Sequence, residues 1–254
     1  MNVWNGKSVY SGIAMGPVVV LKKEDNLVKC EKIADAEAEI ARVKAAVEVS
    51  KMQLQELYEK ALGEVGETGA MIFQVHQMML EDEEYLGAVH SMIRSEMVNA
   101  EYAVSMTGDG LAEMFAGIDD DYMRARAADV KDISHRLICS LTGYEGVDLI
   151  GMEPSVIIAE DLTPSETVQM DKSKILAFVT VHGSTNSHTA ILARMMNIPA
   201  LVGVPLDMDV IENGMAAIVD GFNGTLTLEP TEEIWKNAEA KKREENEKNH
   251  LSWN

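Results

Sequence analysis

From Glu31 to Gly143 the chain contains no proline; its six prolines are Pro17, Pro154, Pro164, Pro199, Pro205 and Pro230. Proline inside a helix removes a hydrogen bond and clashes with the preceding turn. A proline-free stretch of this length, rich in Ala, Glu, Leu, Met and Lys, is therefore helix material. Ile33, Ala36, Ile40, Val43, Val47, Ser50, Leu54, Leu57 and Ala61 recur at alternating steps of three and four, which paints one apolar stripe along a long helix. Gly63 and Gly66 end or bend it. The pattern predicts a second helix over about 70–80, broken near Glu81, a third over about 99–115 and a fourth over about 120–141. The acidic run Asp119-Asp120-Asp121 suits the positive start of the fourth, and Gly143 closes it. Helices with one apolar face each must pack on one another, so residues 30–143 are expected to form an all-α four-helix domain.

The flanking segments read as α/β structure. Val18–Leu21, Val156–Ala159, Ile175–Val181, Ala200–Val204, Ala216–Val219 and Thr225–Leu228 are short apolar runs bounded by Gly, Pro, Asn or Asp, as buried strands are. Gly221-Phe222-Asn223-Gly224 is a hairpin-type turn. Short helices are expected over 165–170 and 187–196. The simplest arrangement is one discontinuous α/β domain, residues 1–29 and 144–230, with the helices inserted into it. Residues 231–254 form a highly charged helix with few apolar positions, expected to be a linker to a further domain.

Charge narrows the partners. The 22 Lys+Arg against 42 Asp+Glu give −20 overall, which repels a phosphate backbone and an anionic membrane surface alike. Residues 31–150 carry 24 acidic and 10 basic side chains, net −14, so the helical part is the expected docking face for a basic protein. Cys30 and Cys139 stand far apart without a ligand pattern, which suits a reducing cytoplasm. No run approaches the roughly 18 uninterrupted apolar residues of a spanning helix, and the N-terminus lacks a signal-peptide pattern. Cytoplasmic residence is the expectation.

The chemistry concentrates in Gly183-Ser184-Thr185-Asn186-Ser187-His188-Thr189. A strand ends, a Gly/Ser/Asn turn follows and a helix starts near Ser187, a geometry that aims unpaired backbone N–H groups and the positive helix end at one spot. Gly183 gives the turn, and the hydroxyls of Ser187 and Thr189 flank the imidazole, so His188 is a candidate nucleophile whose phosphorylated form the helix end would hold. An unperturbed imidazole, with a pKa of about 6.5, is largely neutral at cytosolic pH. Ser-Asn-Ser before a helix also reads as an ordinary N-cap. His76, His90, His135, His182 and His250 form no metal-ligand pattern, so no metal is expected in this chain.

The segment GSTNSHTAILARMMNIPALVGV resembles the phosphohistidine signature of the phosphoenolpyruvate-utilising enzymes, GGxTSHxAIxAR followed by xxPAxVG. Within that group the resemblance is to Enzyme I of the bacterial phosphoenolpyruvate:sugar phosphotransferase system. Ser11-Gly12-Ile13-Ala14 with Gly16 is similar to the family's opening SGIxxSxG. Ile72-Phe73-Gln74-Val75-His76 through Leu80-Glu81-Asp82-Glu83-Glu84 resembles its IFxxHxxxLxDxE helix. Arg126 to Ile133 resembles RAADVxDI, and Asp161 to Thr167 is its DLTPSET.

The resemblance implies an α/β swivelling-type phosphohistidine domain interrupted by a helical domain that docks the carrier protein HPr. It implies that His188 takes a phosphoryl group derived from phosphoenolpyruvate, through Nε2, and passes it to a histidine of HPr. Thr167 would hydrogen-bond the ring nitrogen that is not phosphorylated. Met78, Met79, Glu81, Asp82, Glu84 and Arg126 match positions at or near the HPr surface. Phosphoenolpyruvate and Mg²⁺ would bind a C-terminal β/α barrel that also forms the family's dimer. This chain is thus expected to hold no cofactor, to be monomeric, and to exchange phosphate with HPr without being charged by phosphoenolpyruvate itself. The family's usual Arg before Thr-Ser-His is replaced by Thr185, and its second Gly by Ser184. Arg194 is a poor substitute, lying about 240° around the helix from His188.

Two other readings stand beside this one. The phosphohistidine domain of pyruvate phosphate dikinase or phosphoenolpyruvate synthase shares the signature but lacks a helical insertion between Leu21 and Val147. A non-catalytic scaffold would bind an HPr-like protein without accepting phosphate.

Overall fold

The computed structural model describes residues 2–22, 28–143, 153–183 and 188–251, without the side chains of His188, Leu192 and 248–251. It divides into two compact units: Met1–Lys22, Leu149–Leu162 and Met170–Asn254 form one, Lys23–Asp148 and Thr163–Gln169 the other.

The first unit is an eight-stranded mixed sheet. Its strands are β1 (Asn2–Asn5), β2 (Lys7–Tyr10), β3 (Ile13–Leu21), β4 (Ser155–Ala159), β5 (Ile175–Thr180), β6 (Ala200–Val202), β7 (Ala216–Asp220) and β8 (Thr225–Leu228), in the order β1-β8-β7-β3-β4-β5-β6-β2. Strands β3 to β6 run parallel; β7, β8, β1 and β2 join antiparallel. Strands β1 and β2 lie at opposite margins yet are separated in sequence only by Gly6. One residue spans about 7 Å at most, so the sheet must curl until its margins meet. Gly6 N–H donates to the Gly224 carbonyl at 2.9 Å, and a Cβ at Gly6 would lie 2.5 Å from Val204 Cγ2. No side chain fits at that joint.

Alternation along the strands sorts the core onto two faces. Val156 and Ile158 join Val18, Val179, Leu201, Val219 and Leu226 on one face. Ile157 and Ala159 join Phe178, Ala190, Ala193, Ala200 and Val202 on the other, beneath helix α6 (His188–Met196). Full burial of each large side chain contributes about 1.5–3 kcal/mol. The charged helix α7 (Glu232–Leu251) packs against β3 and buries Ala238.

The second unit holds α1 (Ala36–Leu80), α2 (Glu83–Glu96), α3 (Ala100–Ala116), α4 (Asp121–Thr142) and the short α5 (Pro164–Gln169). Most of the expected stripe is the buried one: Ile40, Val43, Val47, Ser50, Leu54, Leu57 and Ala61 all face inward, whereas Ala36, at the helix start, is half-buried and Ile33 lies before the helix. The first two expected helices are one element, broken at Gly66, whose φ of 75° and ψ of 179° depart from the helix. Helix α2 was not expected; it starts on Asp82, whose carboxylate accepts from Glu84 and Tyr85 N–H at 2.9 and 3.0 Å. Helix α3 has no side-chain cap of its own. Glu39 of α1 accepts from Ala100 N–H at 2.7 Å instead, while Arg42 ties Glu39 to Glu101. All four long helices lie in sequence between β3 and β4, so the architecture is an α/β domain with an inserted helical domain. Among the described residues, no helix is long and apolar enough to cross a membrane.

Candidate functional site

The site is built at the carboxyl end of β5. Val181 and His182 extend the ladder through N–H bonds to Ala159 and Glu160 carbonyls, and Gly183 turns the chain with φ of 105°. Helix α6 then opens on His188. Ser184, Thr185, Asn186 and Ser187 lie outside the described residues. The far end of α6 is fixed tightly: Asn197 is left-handed, its N–H reaches the Arg194 carbonyl, and the Ile198 N–H returns to the Ala193 carbonyl at 3.0 Å. Pro199 follows, so the helix is held to nine residues.

The phase of this helix is set by its small residues. Thr189, Ala190 and Ala193 are buried, whereas Ile191 and Met195 are exposed. Positions 188, 191 and 195 share a face at helical spacing, so position 188 falls on the side away from the sheet. The Thr189 hydroxyl donates to the Leu162 carbonyl at 3.0 Å. Its hydrogen is therefore engaged at the backbone. Arg194 is exposed and, with Ser11, Gly12, Pro199, Phe222 and Lys242, lines an open groove of about 730 Å³.

The DLTPSET segment forms the start of α5. Thr163 N–H donates to the Glu166 carboxylate at 2.8 Å, Glu166 N–H returns to the Thr163 hydroxyl at 3.3 Å, and Pro164 is the first helical residue. This is a reciprocal cap with proline where its missing N–H does no harm. Thr167 is buried, and its hydroxyl hydrogen is shared between the Thr163 and Pro164 carbonyls at 3.1 and 2.9 Å. What the Thr167 oxygen can still offer is a lone pair.

The docking candidates lie at the α1–α2 turn and on α4. Met78 is 70% exposed, while Met79 packs beside Ala112, Ala127 and Val130. That contact brings the turn next to the part of α4 that carries Arg126. Glu81 caps α1 and pairs with Lys51; Asp82 caps α2, and Glu84 lies in its first turn. Arg126 donates to the Tyr122 hydroxyl at 3.0 Å, its guanidinium carbon 5.4 Å from the ring centre. Tyr122, 63% exposed, is a member of this surface that the sequence reading did not single out. Its four-residue spacing from Arg126 was the available signal.

A second set of polar residues, also unforeseen, is buried in the same unit. His76 is fully buried, with Nε2 3.3 Å from Asp129 Oδ1 and Nδ1 3.5 Å from Asp132 Oδ2. Ser165 donates to Asp132 Oδ2 at 3.0 Å. Arg136 bonds Gln53 at 3.0 Å; burial pushes its guanidinium below the usual arginine range, against the attraction of Asp132. Tyr85, bonded to Ser134 at 2.8 Å, is pushed up to about 12 by burial.

Comparison with known proteins agrees with this layout. The family description "PEP-utilising enzyme, N-terminal" matches residues 5–126, and "PEP-utilising enzyme, mobile domain" matches residues 151–224. The phosphoenolpyruvate-protein phosphotransferase of Priestia megaterium is 40% identical over 238 residues, 93% of this chain and 41% of that protein. The protein of the same name from Haemophilus influenzae is 40% identical over 87% of this chain and 39% of its own length. The chain thus spans about two fifths of these relatives. A solution structure described as Enzyme I (nEIt) superposes with a TM-score of 0.76 at 36% identity, covering 96% of this chain and 99% of that one. An N-terminal domain of Enzyme 1 (Nitrogen), at 21% identity and a TM-score of 0.59, shares the fold. The chain belongs to the phosphoenolpyruvate-utilising enzymes and corresponds to the N-terminal part of an Enzyme I.

Proposed function

We propose that this chain is a phosphoryl-transfer module that carries phosphate on His188 and exchanges it with a histidine of HPr in the sugar phosphotransferase system. In the exchange, a neutral imidazole nitrogen of His188 attacks the phosphorus of phospho-HPr. The new P–N bond forms as the old one breaks, and the lone pair returns to the HPr ring. The observation that carries this reading is the placement of position 188 at the start of α6, on the face away from the sheet. There the positive helix end favours the added negative charge. The backbone turn at Gly183 and the hydroxyls of Ser187 and Thr189 would support the phosphate. Thr189 can do so only through its N–H or its oxygen lone pairs while it donates to Leu162.

Thr167 is proposed to orient the ring. Its hydrogen is committed to carbonyls, so it can accept an imidazole N–H but not compete for the nucleophilic lone pair. An Nδ1–H held in this way leaves Nε2 to attack. The docking surface is proposed at Met78, Met79, Glu81, Asp82, Glu84 and Arg126, with Tyr122 added, and the net −14 of residues 31–150 suits a basic partner. Phosphoenolpyruvate and Mg²⁺ are assigned to a further domain of the full-length enzyme, and cytoplasmic residence goes with that role.

Incubation with phospho-HPr, followed by mass analysis under conditions that preserve acid-labile adducts, tests the reading. One phosphate per chain is expected, lost in His188→Ala while HPr binding is kept. An unlabelled wild-type chain, or a labelled His188→Ala, would overturn it.

A further inference from the structure

Helix α1 folds back on itself. Gln77 Nε2 donates to Gln55 Oε1 at 3.3 Å and Lys51 pairs with Glu81, so both contacts are centred on residue 66. In a straight helix Gln55 and Gln77 would stand about 33 Å apart. Gly66, with its φ of 75°, is therefore the turn of a hairpin, with a long arm before it and a short arm, residues 67–80, after it. The buried positions mark the same reversal. Leu57, Ala61 and Val65 follow at steps of four, the next is Ala70, five residues on, and Phe73, His76 and Leu80 complete the inner face of the short arm. Gly63 and Gly66 have open space where a side chain would project, so no packing around the turn sets the lie of that arm.

The other contacts of the short arm set it loosely. Its polar ties to the long arm are at the surface, where such pairs constrain geometry weakly. Met79 packs on Ala112, Ala127 and Val130, and an unbranched thioether on small residues tolerates more than one position. His76 is different. It is fully buried on the inner face and stands between two carboxylates of α4, with Nε2 3.3 Å from Asp129 Oδ1 and Nδ1 3.5 Å from Asp132 Oδ2. Asp132 is held in turn by the Ser165 hydroxyl at 3.0 Å. The two carboxylates lie about 4.5 Å apart along α4, and a displacement of the short arm along α4 by one residue's rise, about 1.5 Å, takes the ring away from one of them. Buried carboxylates are costly unless partnered, and the best-attested use of such buried polar contacts is to fix register.

We infer that His76, with Asp129 and Asp132, is a positioning residue for the partner surface. It fixes the register of the short arm on α4, so that Met78, Met79, Glu81 and Asp82 at the end of that arm stand beside Tyr122 and Arg126 as one docking face. The inference rests on the docking surface proposed above and adds what assembles it. Met78 follows His76 by two residues and Arg126 precedes Asp129 by three, so the lock lies within one helical turn of the face it sets. All of these groups belong to the helical unit.

The test uses the whole chain with ¹³C-methyl-labelled methionine. The Met79 methyl reports the register of the short arm, and calorimetric titration with HPr reports the docking face. His76→Leu keeps an apolar filling but loses both contacts. It is expected to move the Met79 resonance or split it, and to weaken HPr binding about tenfold. His76→Gln, which can still donate to Asp129, should restore most of both. Asp129→Ala should move the Met79 signal as His76→Leu does, and should add little to it when the two are combined. Ile40→Val thins the core near the start of α1, away from the lock, and should leave the Met79 signal and the affinity unchanged. A wild-type Met79 signal in His76→Leu or in Asp129→Ala, a His76→Gln no better than His76→Leu, additive effects in the combined variant, or an equal change in Ile40→Val would each overturn the inference. If the Met79 signal moves while HPr affinity holds, or if the wild-type chain does not bind HPr, the docking surface proposed above fails, and the methyl spectrum still decides the lock.

Discussion

The Thr189 hydroxyl donates to the Leu162 carbonyl at 3.0 Å, both residues being buried, and so pins the first turn of the histidine-bearing helix to the segment that follows β4. Thr189→Val keeps the shape but leaves that carbonyl without its donor. A loss of about 1–3 kcal/mol is expected, with Thr189→Ser close to wild type. Urea unfolding midpoints measure the difference. Equal stability of the Val variant would show that the contact anchors nothing.

His76 separates two buried carboxylates. His76→Leu leaves both facing an apolar group, and depriving buried polar groups of a partner is expected to destabilise by about 1–3 kcal/mol. Adding Asp129→Asn and Asp132→Asn should recover part of that loss, because neutral amides are less costly to bury. Unfolding of the three proteins side by side checks both statements.

Acid should weaken the helical unit through Glu101. Burial pushes its carboxyl up, but the hydrogen bond and charge of Arg42 outweigh this and leave it below its usual value of 4.5. A carboxylate depressed in the folded state contributes fully above the unfolded-state value and loses that contribution as pH falls through the folded-state value. The stability gap between wild type and Glu101→Gln should therefore be full at pH 7 and shrink below about pH 4.5. Denaturant titrations at pH 7, 4.5 and 3 read it directly; a gap that widened on acidification would contradict the assignment.

Docking driven by charge carries a salt signature. If the acidic helical unit attracts a basic HPr face, affinity should fall steadily as ionic strength rises toward 1 M, where screening acts within about 3 Å. Calorimetric titration at stepped salt concentrations tests this. A flat response would assign docking to the exposed methionines, and Met78→Ser would then be the more damaging change.

The parts of the fold that depend on local pattern were legible in the sequence. The α1 stripe, the buried strands and the start of α6, expected near Ser187 and described from His188 onward, each follow from spacing or punctuation that a short window contains. Strands β1 and β2 escaped because NVWN and KSVY are four-residue marginal strands with mostly exposed side chains, so neither alternation nor an apolar run marks them. Helix α2 escaped behind its acidic start, although Tyr85, Val89 and Ile93 repeat at four-residue steps and are its buried face. The His76 cluster was beyond reach for another reason. Its members stand up to 89 positions apart, and nothing local announces that they converge.

The lone residue between β1 and β2 gives the amino terminus the role of a buckle. Residues 2–10 cover the free edges of β8 and β6 at once, which without them would each present a row of open amides and carbonyls. Removing these residues would therefore unfasten the curled sheet on both sides together, and invite neighbouring molecules to zip onto either exposed rim.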